Sequence, residues 1–138
     1  MKQVLMRSIM RWIALCFVLS TFGMASVHAS ELSDALKKSD HVLLMRHALA
    51  PGTGDPAGYS LNDCSTQRNL DGQGKQQATR TGQWLQRQGI QKAMVLTSPW
   101  CRCKDTANLL GYGQPEVEPA IGSFFEASQQ AADYTQRL

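Results

Sequence analysis

Arg46 and His47 stand side by side where an apolar run, Val42-Leu43-Leu44-Met45, gives way to a loop of Ala, Pro and Gly. A second arginine, Arg102, follows Thr97-Ser98-Pro99 at the close of another apolar run. Two guanidinium groups and an imidazole suit a phosphoryl group. Guanidinium forks pair with phosphate oxygens through charge-assisted hydrogen bonds and stay charged at any relevant pH. An imidazole with an ordinary pKa near 6.5 is largely neutral at pH 7, and neighbouring arginines lower that value further. Its neutral ring nitrogen can attack phosphorus, giving a phosphohistidine that water then hydrolyses. Each feature alone is a weak signal. An Arg-His pair at a strand end is commonly incidental, and a helical Arg102 has a local partner in Asp105, three residues on. Their joint occurrence in one order is what points to phosphate chemistry.

These residues need a scaffold that brings positions more than fifty residues apart to one place. In an open parallel sheet, ligands bind beyond the carboxyl ends of the strands. Residues 41–45 read as a short strand buried on both faces, and residues 93–97 as a second. Residues 48–69 form a long loop rich in Gly, Pro, Asn and Asp, of a length that is usually functional. Asp71 is the expected N-cap of a helix running to about residue 88, with Gly89 as its terminator. Gly74, Ala78, Thr81 and Leu85 share one face of that helix, and the small ones allow close packing. Pro99 opens a second helix ending near Leu110 and Gly111. Residues 115–121 read as a third strand, cut short by Pro119. Residues 33–38 read as a short helical lead-in, and another helix is expected to begin near Ser128. The alternation predicts an α/β fold with a parallel, three-layer, Rossmann-like sheet.

The N-terminus is set apart from this domain. Lys2, Arg7 and Arg11 precede a mostly apolar stretch, and Val27-His28-Ala29 offers small residues where a signal peptidase inspects them. Residues 1–29 are read as a signal peptide cleaved after Ala29, and 30–138 as the domain. The apolar core is short for a bilayer span of about 20 residues, so stable membrane insertion after cleavage is not expected. The expected location is periplasmic or secreted. The chain's 14 basic and 11 acidic residues give +3, and those three basic leader residues account for the whole excess. The balanced remainder argues against nucleic acid as a partner. Cys64, Cys101 and Cys103 remain beyond the leader, an odd number in a compartment where disulfides persist. Zinc is not expected, because residues two apart on a helix diverge and further ligands are lacking.

The chain resembles the histidine phosphatase superfamily, the phosphoglycerate-mutase-like fold. "LLMRHALAPG" is similar to that family's strand ending in Arg-His. "RNLDGQGKQQA" resembles its Leu-Thr-x-x-Gly-x-x-Gln-Ala segment, with Asp71 in place of the capping Thr. "TSPWCRCKDTANLL" resembles its Ser-Pro-x-x-Arg-x-x-x-Thr-Ala segment. The resemblance covers roughly residues 41–126. It implies that His47 is the nucleophile, that Arg46 and Arg102 bind phosphate, and that Glu126 in "SFFEAS" is the general acid. It implies no metal and no organic cofactor. Ala48 stands where the family usually has Gly. The second pocket histidine of the family has no counterpart, since the chain holds only His28, His41 and His47. The C-terminal part of such a domain is therefore expected to be missing. A bridge from Cys64 to either Cys101 or Cys103 would tether the long loop beside the phosphate site. The implied activity is an exported phosphatase acting on a small-molecule or cell-envelope phosphomonoester. The alternatives are a catalytically incomplete remnant and a mutase-type phosphoryl transferase.

Overall fold

Asp71 sits in extended backbone and its carboxylate accepts from the Gly74 N–H at 2.7 Å, which starts helix α2, Gly72–Arg87. The cap satisfies one of the donors that every helix leaves orphaned at its first turn. Gly89, at φ 89°, turns the chain away at the other end, as the sequence predicts. This computed structural model describes residues 27–38, 40–124 and 128–137. Within them lie α1 (Val27–Leu36), α2, α3 (Cys101–Leu109) and α4 (Ala131–Arg137), with strands β1 (Leu96–Thr97) and β2 (Glu116–Val117). Most of the signal-peptide stretch, residues 1–26, and Glu126 lie outside the described residues.

Strands β1 and β2 pair in parallel, Leu96 with Glu116 and Thr97 with Val117. Helix α3 connects them, as a parallel pair requires. The sheet is smaller than the sequence predicts. Strand 93–97 contracts to two residues. In the stretch predicted as strand 115–121, Pro119 opens a 3-10 turn, Pro119–Ile121, capped by Glu118. Residues 41–45 form no strand, and a three-layer sheet is not present among the described residues. Val42 and Leu44 are 91% and 87% exposed. The physical reason is the absence of a neighbour. A strand exists through its ladder, and β1 pairs on one side only, with β2.

The core sits instead between α2, α3 and the start of the long loop. Ala78, Ala48, Ala50 and Leu70 are buried together, with Leu109 packed against them. Gly74, Ala78, Gly82 and Leu85 form the buried face of α2, so Gly82 takes the place expected of Thr81. Close approach explains the glycines. A Cβ at Gly74 would lie 1.9 Å from the Leu49 carbonyl oxygen, and one at Gly82 would lie 2.0 Å from that of Leu110.

Candidate functional site

Helix α3 lacks a side-chain cap of its own, since Trp100 at the N-cap supplies none. The long loop provides one: the Cys101 N–H donates to Gln67 Oε1 at 2.9 Å. A disulfide joins Cys64 of the same loop to Cys101, and Cys103 stays free. Cys101 is 1% exposed at the first turn of α3. The bridge expected from the sequence therefore settles on Cys101, and it anchors the loop one residue from Arg102.

Arg102 is buried, with its partner in that loop rather than on its own helix. Its Nη1 donates to both carboxylate oxygens of Asp55, at 2.8 and 3.0 Å. The two side chains are 8% and 6% exposed. Asp105, the local partner considered from spacing, forms no such pair with Arg102. Trp100 Nε1 and the Arg68 backbone N–H also donate to Asp55, at 3.2 and 3.0 Å. Arg68 in turn braces the loop, donating to the carbonyls of Gly54 and Ala50. Burial opposes the charge on Asp55, but the bonds from Arg102, Arg68 and Trp100 outweigh it and hold the carboxyl below its ordinary range. Arg102 Nε is buried without a hydrogen-bond partner. Among the described residues, Asp55, Gln67 and Arg68 are what sequence reading missed. The only trace was the length and composition of their loop.

His47 is half-buried. Its Nδ1 lies 2.7 Å from the Ala48 carbonyl oxygen, which can only accept, so Nδ1 carries the proton and Nε2 is left with its lone pair. Burial lowers the His47 pKa most. The Ala48 bond partly offsets this, and the charges of Arg102, Arg68 and Arg46 lower it further. The ring is thus held neutral near pH 7, with the free lone pair on Nε2. The backbone after it is fixed on both sides. Ala48 N–H donates to Thr106 Oγ1 at 3.0 Å, one turn beyond Arg102, and Leu49 N–H donates to Gln77 Oε1 at 2.8 Å.

Arg46 and His47 line a cleft of about 500 Å³ with residues 48–50, Gln73, Gln77 and Arg80. Arg46 is exposed there, as is Arg80 of α2. Arg102 does not line this cleft; it acts on His47 from within the core. The structure therefore brings both expected arginines, Arg46 and Arg102, into electrostatic reach of His47. It does so with a larger cationic set, Arg68 included. Glu126 lies outside the described residues, and His41 pairs with Asp40 at the surface.

The chain belongs to the histidine phosphatase superfamily (branch 1), whose family model matches residues 42–121, more than half of its length. The matched stretch holds Arg46, His47, α2, Arg102, α3 and both strands. Membership points to phosphatase or mutase chemistry, and phosphatases are common in the superfamily. No curated protein and no solved structure matches the chain.

Proposed function

We propose that the protein is an exported phosphatase that hydrolyses a phosphomonoester through a phosphohistidine on His47. Nε2 attacks phosphorus, the P–O bond to the alcohol breaks, and Glu126 protonates the departing oxygen. Water then attacks the phosphohistidine and gives a proton back to Glu126, and the P–N bond breaks, which releases phosphate and returns His47 to its neutral state. Arg46 and Arg102 hold the phosphoryl oxygens and stabilise the charge that builds on them in the transition state. The carrying observation is a neutral imidazole, its Nδ1 proton committed to Ala48, set in the field of Arg46, Arg68 and Arg102. Export is supported by the basic and apolar N-terminal pattern, and the Cys64–Cys101 disulfide suits an oxidising compartment. That compartment favours hydrolysis of envelope or small-molecule phosphomonoesters over a mutase shift. The three-layer, Rossmann-like architecture belongs to the same proposal, with residues 41–45 joining the sheet begun by β1 and β2. The test is turnover of p-nitrophenyl phosphate together with acid-labile phosphate on His47. Hydrolysis that survives His47→Ala would refute the reading.

A second reading is favoured by the exposure of residues 42–45, which leaves Arg46 on an unpaired segment. In it the chain binds phosphate without turning it over. Inorganic phosphate would then raise the melting temperature while the aryl phosphate stays intact.

A further inference from the structure

Helix α2 brings a second cation to the cleft that holds Arg46 and His47. Gln73, Gln77 and Arg80 follow one another at four and then three residues, so they share one face of the helix, and all three line the cleft. That face is fixed against the loop, because Gln77 Oε1 accepts from the Leu49 N–H at 2.8 Å. Arg80 stands three residues beyond Gln77, about 4.5 Å further along the axis. Its side chain is exposed and barely engaged: Nη1 reaches Gln76 Oε1 only at 3.5 Å, longer than an ordinary hydrogen bond. Among the described residues neither Arg46 nor Arg80 forms an ion pair, and no carboxylate lines the cleft.

Two observations set Arg80 apart from a phosphoryl ligand. The charges that chiefly lower the His47 pKa come from Arg102, Arg68 and Arg46, and Arg80 is not one of them. The cleft volume, about 500 Å³, suits a whole small ligand rather than a phosphoryl group alone. We propose that Arg80 is a specificity-determining residue, which selects phosphomonoesters whose alcohol portion carries a carboxylate. This rests on the phosphatase reading above. A guanidinium fork matches the two oxygens of a carboxylate. Charge favours that group over a second phosphate. Arg80 adds one positive charge, which one carboxylate balances, whereas a phosphate monoester brings about 1.5–2 negative charges.

The experiment gives the full chain phenyl phosphates bearing a carboxylate at ring position 2, 3 or 4, each beside its neutral carboxamide counterpart and the matching phenylene bisphosphate. Phosphate release yields kcat/KM for the wild type, Arg80→Gln, Arg80→Lys and Lys75→Gln. Lys75 is an exposed cation of the same helix outside the cleft lining, so its loss measures the general field alone. The wild type should prefer carboxylate to carboxamide by about tenfold at one ring position or more, the worth of a charge-assisted bond. Arg80→Gln should bring that ratio close to one, Arg80→Lys should keep part of it, and Lys75→Gln should keep it whole. A wild-type ratio near one at all three positions overturns the inference, and turnover of the carboxamides then leaves the phosphatase reading standing. An equal fall in Lys75→Gln overturns it too, since field alone would explain the preference. A larger Arg80-dependent preference for the bisphosphates overturns the choice of carboxylate. If nothing is hydrolysed, the same ratios measured as affinities decide in the same way. If none of the compounds is hydrolysed or bound, the phosphatase reading fails and the inference fails with it.

Discussion

Replacing Gly74 with Ala should loosen the site from a residue that carries no chemistry. A Cβ there would lie 1.9 Å from the Leu49 carbonyl oxygen and 2.9 Å from its carbon, where ordinary contact begins at 3.4 Å. Helix α2 and the loop must part by about 1.5 Å to accommodate it. Both groups in the clash are backbone, so no side chain can swing aside. The parting breaks the Leu49–Gln77 bond of 2.8 Å and strains the Ala48–Thr106 bond of 3.0 Å. Overpacking of this kind costs about 1–3 kcal/mol, and each lost bond about 1 kcal/mol. Alanine returns about 1 kcal/mol of helix propensity. The net expectation is a loss of about 2 kcal/mol, read as a lower urea midpoint at unchanged slope. Because Leu49 lies two residues from His47, the affinity for inorganic phosphate should fall as well. A Gly74→Ala protein that gains about 1 kcal/mol, the propensity term alone, would refute the close approach.

Gly82→Ala makes the companion case: its Cβ meets the Leu110 carbonyl at 2.0 Å, so the urea midpoint should fall while phosphate affinity is kept. An affinity change matching that of Gly74→Ala would show that the two contacts are not separable. Replacing Cys64 and Cys101 by Ser should lower stability by about 4 kcal/mol on loop entropy, given the separation of 37 residues. Denaturation with and without the bridge measures it, and coincident curves would contradict it. Asp71→Ala removes the 2.7 Å cap on Gly74 N–H and should cost about 1 kcal/mol, again read by the urea midpoint. The pH profile of kcat/KM should keep its acid limb below 6.5. His47 has a lowered pKa, so its neutral nucleophilic form persists further into acid than that of a free imidazole. The same shift gives the native state stability that is complete above about 6.5 and is lost as pH falls towards the folded value. A limb centred above 6.5 would show that burial and the arginines do not act on His47 as the geometry implies.

What sequence could reveal follows from the range of each interaction. The cap at Asp71, the terminator at Gly89 and the helix after Pro99 depend on neighbours within a few residues, and they lie where their spacing puts them. Arg46, His47 and Arg102 were singled out because strand ends and helix starts collect ligands, and both arginines act on His47 although residues 41–45 form no strand. Residues 41–45 have the composition of a buried strand, but composition cannot supply a ladder partner, and Val42 stays 91% exposed. The partner of Arg102 was illegible for the reverse reason. Helical spacing offered Asp105, a solvated pairing of small worth. The chain used Asp55 from a loop 47 positions earlier. Whether Cys101 or Cys103 met Cys64 turned on the facing of α3, and only the fold decides that.

The loop's one buried carboxylate also explains how three arginines can gather near a half-buried histidine. Arg102 could not stay at 7% exposure without a counter-ion, because an unpaired buried charge is strongly destabilising. Asp55 answers that cost, yet it answers only one of the three cations that act on His47. Arg46 and Arg68 remain, so the ground around His47 keeps an excess of two positive charges. A phosphomonoester carries about 1.5–2 negative charges at pH 7. The excess therefore matches the proposed ligand, and it adds to burial in keeping the imidazole neutral before the ligand arrives. Arg46 and Arg80 at the exposed cleft mouth extend that field into solvent, where salt screens it over about 8–10 Å. Capture of a phosphomonoester should thus weaken with ionic strength. The buried Asp55–Arg102 pair is shielded from salt and should persist.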